Sequence, residues 1–252
     1  MNPTSLKIHS LETMGTNDGP GIRLVVFLQG CNFRCLYCHN PDTWDLLSQD
    51  SQAITVNQIL DRLENQRPYF KSGGGLTASG GEPTLQAPAL IELFTQAQAR
   101  GFHTALDTNG SIFSETVKKL YSVTDLVILD VKHIDDQHHR HVTGASNVNT
   151  LKNAEYREST GQPMWLRYVM VPGLTDQPEY LEKWAEHFTN FKTVDRVEIL
   201  PYHTLGVHKY GQMGLEYPLV GVEAPSQEEV RVVGAVFEKY FDQVCYNSGE
   251  DA

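Results

Sequence analysis

The chain has 252 residues, 40% hydrophobic and 20% charged, an ordinary globular balance. Its formal net charge is −11 and its pI is near 5.3, so nucleic acid phosphate and anionic lipid are repelled rather than attracted. The opening MNPTSLKIHSLE lacks the apolar core of a signal peptide, no stretch approaches the length of a membrane span, and a soluble cytoplasmic protein is the expectation.

In chain order, the pattern predicts a strand at 24–29, a helix at 56–66, a strand at 76–79, a helix at 87–100 and a strand at 104–107. A helix at 114–121, a strand at 126–130, a helix at 150–160 and a strand at 165–171 follow. The series closes with a helix at 179–190, a strand at 194–200, a helix at 227–240 and a strand at 244–246. Thr55 with Gln58 and Ser226 with Glu229 read as capping boxes. Gly101 and Gly161 read as helix stops. No repeat or Pro/Gly/Ser-rich linker marks a boundary, so one domain over residues 1–252 is expected.

Strands alternating with helices imply a parallel sheet with helical crossovers, either an open sheet or a full or partial barrel. The residues after each strand favour the barrel. Gly30-Cys31 follows the first strand and Gly80-Gly81-Glu82-Pro83 the second. The third ends Asp107-Thr108-Asn109-Gly110, the fourth Asp130-Val131-Lys132, and the sixth Leu200-Pro201-Tyr202-His203. Polar groups gathered at strand C-termini are how a barrel builds one site from many loops. The fold expected is an α/β, partial (β/α)6 barrel.

There are four cysteines, and three crowd into Cys31-Asn32-Phe33-Arg34-Cys35-Leu36-Tyr37-Cys38. So tight a cluster reads as a metal or redox centre rather than a disulfide scaffold. Three thiolates can bind three corners of an iron–sulfur cubane and leave the fourth iron open, as catalytic metals are left open. The plainer alternative is structural zinc, with adjacent His39 as a fourth ligand, but no second ligand pair follows at zinc-site spacing. Cys245 stands alone and reads as a buried or incidental thiol.

The C-x3-C-x2-C spacing, the aromatic residue before its last cysteine and the Gly-Gly-Glu-Pro segment together resemble the radical SAM superfamily. Asp18-Gly19-Pro20-Gly21-Ile22-Arg23 is similar to the corresponding loop of the glycyl-radical-enzyme activases. Tyr37 to Trp44, reading YCHNPDTW, resembles those activases that act on pyruvate formate-lyase. Residues 39–75 hold no cysteine, which matches the short, single-cluster type.

That resemblance implies a [4Fe-4S] cluster on Cys31, Cys35 and Cys38 that cleaves S-adenosylmethionine (SAM), and a radical that abstracts a glycine alpha hydrogen from a partner protein. It implies SAM contacts from Tyr37, Cys38, His39, Ser79, Gly80, Gly81, Glu82, Asp130, Val131, Lys132, Arg167 and His203, with Tyr37 beside the adenine, Gly81 near the amino group and Lys132 on the carboxylate. Asp107, Thr108, the Ile128 backbone and Asp130 match a monovalent cation site (sodium or potassium), with Ile128 where the family often has methionine. Asp18 and Arg23 would meet the partner at the mouth of the site. Pyruvate formate-lyase is the implied protein substrate, flavodoxin or ferredoxin the electron donor, and the chain a monomer. An activase of a different glycyl radical enzyme and a non-catalytic metal-binding module are the alternatives.

Arg167 lies in an apolar strand, where a charge requires a partner. His133, His138, His139 and His141 are spread around a helical stretch, and the pattern predicts a solvated helix without metal.

Overall fold

A computed structural model describes residues 4–48, 51–70 and 73–246. The chain divides into two compact units.

The first unit comprises Met1–Asn32, Thr43–Thr108 and Ile112–Ile128. It holds β1 (Ser5–Gly15), β2 (Arg23–Leu28), β3 (Gln52–Thr55), α1 (Val56–Gln66), β4 (Gly75–Gly80), α2 (Ala87–Ala99), β5 (His103–Thr108), α3 (Glu115–Tyr121) and the start of β6 (Leu126–Asp130). The strand order is β3-β1-β2-β4-β5-β6. β2, β4 and β5 run parallel, as their apolar runs predict. Such strands are covered on both faces and read as continuous hydrophobic stretches.

Two strands add to the sequence-based set. β1 pairs antiparallel with both β2 and β3. Its alternation is clean only at Leu6 and Ile8, and the ladder with β2 shifts register twice. β3 has four residues, too few to show a period. α1 buries Val56, Ile59, Leu60 and Leu63, a single helical stripe, and each fully buried leucine or isoleucine contributes about 2 kcal/mol. The Thr55–Gln58 capping box forms in both directions.

The second unit comprises Phe33–Asp42, Asn109–Ser111 and Leu129–Ala252. It holds α4 (Asp136–Thr143), α5 (Val148–Ser159), β7 (Met164–Met170), α6 (Pro178–Phe188), β8 (Val194–Pro201), α7 (Val207–Gln212), α8 (Gln227–Phe237) and β9 (Val244–Tyr246). β7, β8 and β9 are adjacent and parallel. α6 presents Leu181, Trp184, Ala185 and Phe188 inward, and α8 presents Val230, Val233, Gly234 and Phe237. Trp184 meets Phe237 edge-on at 5.0 Å. The Ser226–Glu229 capping box is present, and Gly101 and Gly161 take positive φ after their helices. Cys245 sits half-buried on β9 opposite Glu198. Among the described residues, β3 pairs only with β1 and β9 only with β8.

The histidine-rich stretch differs from its sequence-based reading. α4 starts at Asp136, after His133. His133 and His139 are fully buried, while His141 is exposed. The His139 Nδ1 lies 2.7 Å from the Ala145 carbonyl oxygen, and its ring is edge-on to Phe33. The stretch is therefore half packed, not simply solvated.

Candidate cluster and cofactor site

In the first unit the cysteine segment leaves β2 through Gly30, at φ 100°. Gly30 N–H donates to the Thr43 carbonyl at 2.7 Å and Cys31 N–H to that of Trp44 at 3.2 Å. The end of β4 lies against this turn: Gly81 N–H donates to Leu28 O and Glu82 N–H to Gly30 O. A Cβ on Gly81 would stand 2.1 Å from Gly30 O, and one on Gly80, itself at φ 108°, 2.3 Å from Leu28 N. The glycine pair is required by this close approach of two backbones.

Glu82 is fully buried. Its Oε1 accepts from the Thr84 N–H (2.9 Å), the Thr84 hydroxyl (2.5 Å) and the Thr108 hydroxyl (2.7 Å). The Ser79 hydroxyl donates to Asp107 Oδ2 at 2.8 Å. Ile128 is fully buried in β6.

Arg23 begins β2, so it lies at the opposite end of that strand from Gly30. It is fully buried. It donates to the carbonyls of Pro20 (2.9 Å), Gly73 (3.1 Å) and Leu76 (2.7 Å) and to the Thr77 hydroxyl (2.5 Å), which in turn donates to Asp18 O at 2.7 Å. Burial lowers its pKa to about 10, against the raising influence of Asp18 and Asp125. The guanidinium thus ties the turn after Asp18 to β4.

In the second unit, Arg34 and Leu36 donate their N–H groups to the carbonyls of Thr143 and Val142 at the end of α4, and Cys38 N–H donates to Cys35 O. Beneath them packs an apolar cluster of Tyr37, Val142, Val169, Val171, Tyr202 and Leu219, with Cys35 and Leu36 against it. Cys35 and Cys38 are each half-buried, as is Cys31 in the first unit.

Lys132 pairs with Asp130, and its ammonium lies 5.5 Å from the centre of the Tyr37 ring. Burial alone would lower the Lys132 pKa, but Asp130, Tyr37 and Cys35 together raise it well above the ordinary lysine range. Burial also raises the Tyr37 phenol, so it stays protonated. Its hydroxyl has no hydrogen-bond partner among the described residues. Val131 N–H donates to Arg167 O, and Val131 O accepts from the Trp184 indole at 3.3 Å. The partner Arg167 requires is Glu198, at 2.7 Å and equally buried.

His39 and His203 stack with ring centres 3.7 Å apart, and the His39 Nε2 meets His203 O at 2.8 Å. Burial, then the neighbouring His203, lowers the His39 pKa to about 4. The His203 Nδ1 is buried without a hydrogen-bond partner among the described residues. Residues the sequence reading did not single out complete this side. A Cβ on Gly206 would stand 2.5 Å from His39 O. The Lys209 ammonium bridges Asn40 Oδ1 (2.8 Å) and Asp42 Oδ2 (3.0 Å), and the Tyr210 hydroxyl donates to Cys38 O at 3.1 Å. The only local signal is that Gly206, Lys209 and Tyr210 follow closely on His203.

These donors fit a cubane better than zinc. Tetrahedral zinc would need a fourth protein ligand beyond the three thiols. Three thiols for four irons leave one iron for an added ligand, and the orphaned Tyr37 hydroxyl and His203 Nδ1 are polar atoms suited to a bound cofactor.

Comparison with known proteins agrees. Residues 25–185 match the Radical SAM superfamily. The chain is 46% identical to the pyruvate formate-lyase-activating enzyme of Staphylococcus epidermidis and 45% identical to that of Staphylococcus aureus strain USA300, in each case covering 89% of this chain and 92% of the relative. Among solved structures it resembles a domain of the pyruvate-formate lyase-activating enzyme from Bacteroides vulgatus, with TM-score 0.59 and 23% identity over 70% of this chain and all of that one. It also resembles a radical SAM methyltransferase from Sphaerobacter thermophilus, with TM-score 0.64 and 16% identity over 91% and 68%. The structural likenesses show the fold, an open, partial α/β barrel. The sequence identity shows more: this chain is a radical SAM enzyme and belongs to the family of the pyruvate formate-lyase-activating enzymes.

Proposed function

We propose that this protein activates pyruvate formate-lyase by generating a glycyl radical on it. A [4Fe-4S] cluster held by Cys31, Cys35 and Cys38, with SAM beside it, would supply the radical chemistry: given one electron from a flavodoxin or ferredoxin, SAM would be cleaved reductively and a glycine alpha hydrogen would be taken from the lyase. The observation that carries the reading is the cysteine loop, three half-buried thiols within eight residues, in a chain that matches activating enzymes over nine-tenths of their length.

The chain's own groups then have definite tasks. Cys31, Cys35 and Cys38 each hold an iron. Lys132 stays charged through Asp130 and neutralises the SAM carboxylate. Gly80 and Gly81 let backbone approach the methionine moiety, with Ser79 and Glu82 fixing the turn around them. Tyr37 and His203 border the adenosyl part, His39 supports His203, and Arg167, in the middle of β7 and steadied by Glu198, adds a positive charge. Val131 sets the spacing between Asp130 and Lys132. Asp107, Thr108, the Ile128 carbonyl and Asp130 supply oxygens for a sodium or potassium ion, which hard oxygen donors suit. Asp18 matches the family's partner loop, but Arg23, expected to meet the partner, is fully buried at the end of β2 away from Gly30 and would act only by fixing the turn after Asp18.

The test is anaerobic. Reconstituted protein, reduced in the presence of SAM and pyruvate formate-lyase, is expected to produce the electron paramagnetic resonance signal of a glycyl radical on the lyase. SAM cleavage without that signal overturns the assignment of the partner.

A further inference from the structure

A second group of metal-competent side chains lies in the second unit, apart from the cysteines. His133, Asp135 and His138 each place one ligand atom within 4.8 Å of the others. We infer that these three residues form a site for a divalent transition-metal ion of the zinc or nickel class.

Helix capping explains part of the arrangement. Asp135 caps α4, accepting from the His138 N–H at 3.0 Å, and its Oδ1 lies 2.8 Å from the His138 Nδ1. Capping does not explain His133. That side chain is fully buried and precedes the helix, and its Nε2 has no hydrogen-bond partner among the described residues. Its Nδ1 lies 3.3 Å from the Asp135 carbonyl oxygen, and the tautomer that donates this bond leaves the Nε2 lone pair for an ion. A buried imidazole nitrogen without a partner carries a desolvation cost that a metal would offset.

The surroundings are built rather than incidental. The Asn147 amide donates to the carbonyls of His133 (3.2 Å) and Ile134 (2.6 Å), holding the turn. Tyr180 of α6 lies 4.8 Å from the His133 ring and 4.5 Å from that of His138, forming an apolar wall. Burial holds the His133 pKa down to about 4, and the bonds from His138 lower Asp135, so both are in ligand form at neutral pH. Two imidazoles and one carboxylate match zinc, nickel and related ions rather than calcium or magnesium. His133 follows directly on Lys132, and the far end of α4 carries the Val142 and Thr143 carbonyls that hold the cysteine loop. An ion here would brace the helix from which that loop hangs.

The test titrates zinc into the cluster-loaded protein by calorimetry, with iron counted before and after. One zinc per chain with no loss of iron is expected, together with a rise in Tm. His138→Gln, which removes a half-exposed ligand, is expected to weaken zinc binding about 100-fold or more, since even supporting residues of metal sites contribute 10–100-fold, and to abolish the Tm rise. His133→Gln should do the same, and if it fails to fold His138→Gln decides. His141→Gln, on the same helix, should bind as the parent does. The inference is overturned if the parent takes up no zinc, if uptake is matched by iron loss, or if His138→Gln binds as tightly.

Discussion

The two ends of the cysteine loop are held by different means. At the Cys31 end the contacts are backbone to backbone, and glycine is the essential residue: Gly30 turns the chain and Gly81 lets β4 lie against it. At the Cys38 end the grip comes from a segment after β8, where Gly206, Lys209 and Tyr210 engage His39, Asn40, Asp42 and the Cys38 carbonyl. The first kind of support comes from strand ends that the sheet must bring together anyway. The second depends on side chains that pack only when a distant segment has folded back. One end is therefore expected to be rigid and intolerant, and the other adjustable.

Removing a thiol breaks both ends alike. Cys38→Ala should abolish cluster retention and glycyl radical formation, read by iron content and paramagnetic resonance. Lys132→Met should cost about 3–5 kcal/mol of stability, because Asp130 would be left buried without its counter-charge, and denaturant unfolding measures it. The glycine comparison separates the ends. Gly81→Ala drives a Cβ to within 2.1 Å of a carbonyl oxygen between two sheet strands and should cost about 3 kcal/mol. Gly206→Ala, at 2.5 Å from a loop carbonyl, should cost about 1 kcal/mol, since the 203–209 segment can shift. Equal losses would remove the distinction. Lys209→Met breaks a half-exposed bridge and should cost less than about 1 kcal/mol, yet it should speed iron loss on exposure to air. The smallest effect is on pH dependence. The folded-state pKa of His39 lies near 4, below the unfolded value of about 6.5. Between these values the unfolded chain binds the extra proton, so stability falls as pH drops through that window. A His39→Phe variant should flatten that part of a Tm-against-pH curve.

Local chemistry was legible in the sequence. The cysteine spacing, the parallel strands and the two capping boxes are decided within a few residues, and the helix at 56–66 falls where its apolar stripe and cap place it. Long-range compensation was not legible. Arg23 is expected to meet a partner at the mouth of the site, but it is buried, and that burial depends on carbonyls at Pro20, Gly73 and Leu76 meeting in space. Glu198 is an unremarkable strand residue until Arg167 is found across from it. The histidines of 133–141 share a helical spacing, yet His133 and His139 are buried by neighbours that spacing cannot reveal. β1 and the edge strand β3 escaped because β1 alternates cleanly only at Leu6 and Ile8 and β3 has four residues.

The support at the Cys38 end also has a consequence in time. Lys209 and Tyr210 lie 169 and 172 positions after their partners Asn40 and Cys38. During synthesis at about 5–20 residues per second, the thiols are made roughly 10–30 s before the residues that grip them. Throughout that interval the loop is a flexible thiol-rich segment open to any soft metal nearby. Faithful loading with iron and sulfide is therefore a task for the finished chain, and a stalled or truncated one would present the ligands without the means to hold them in place.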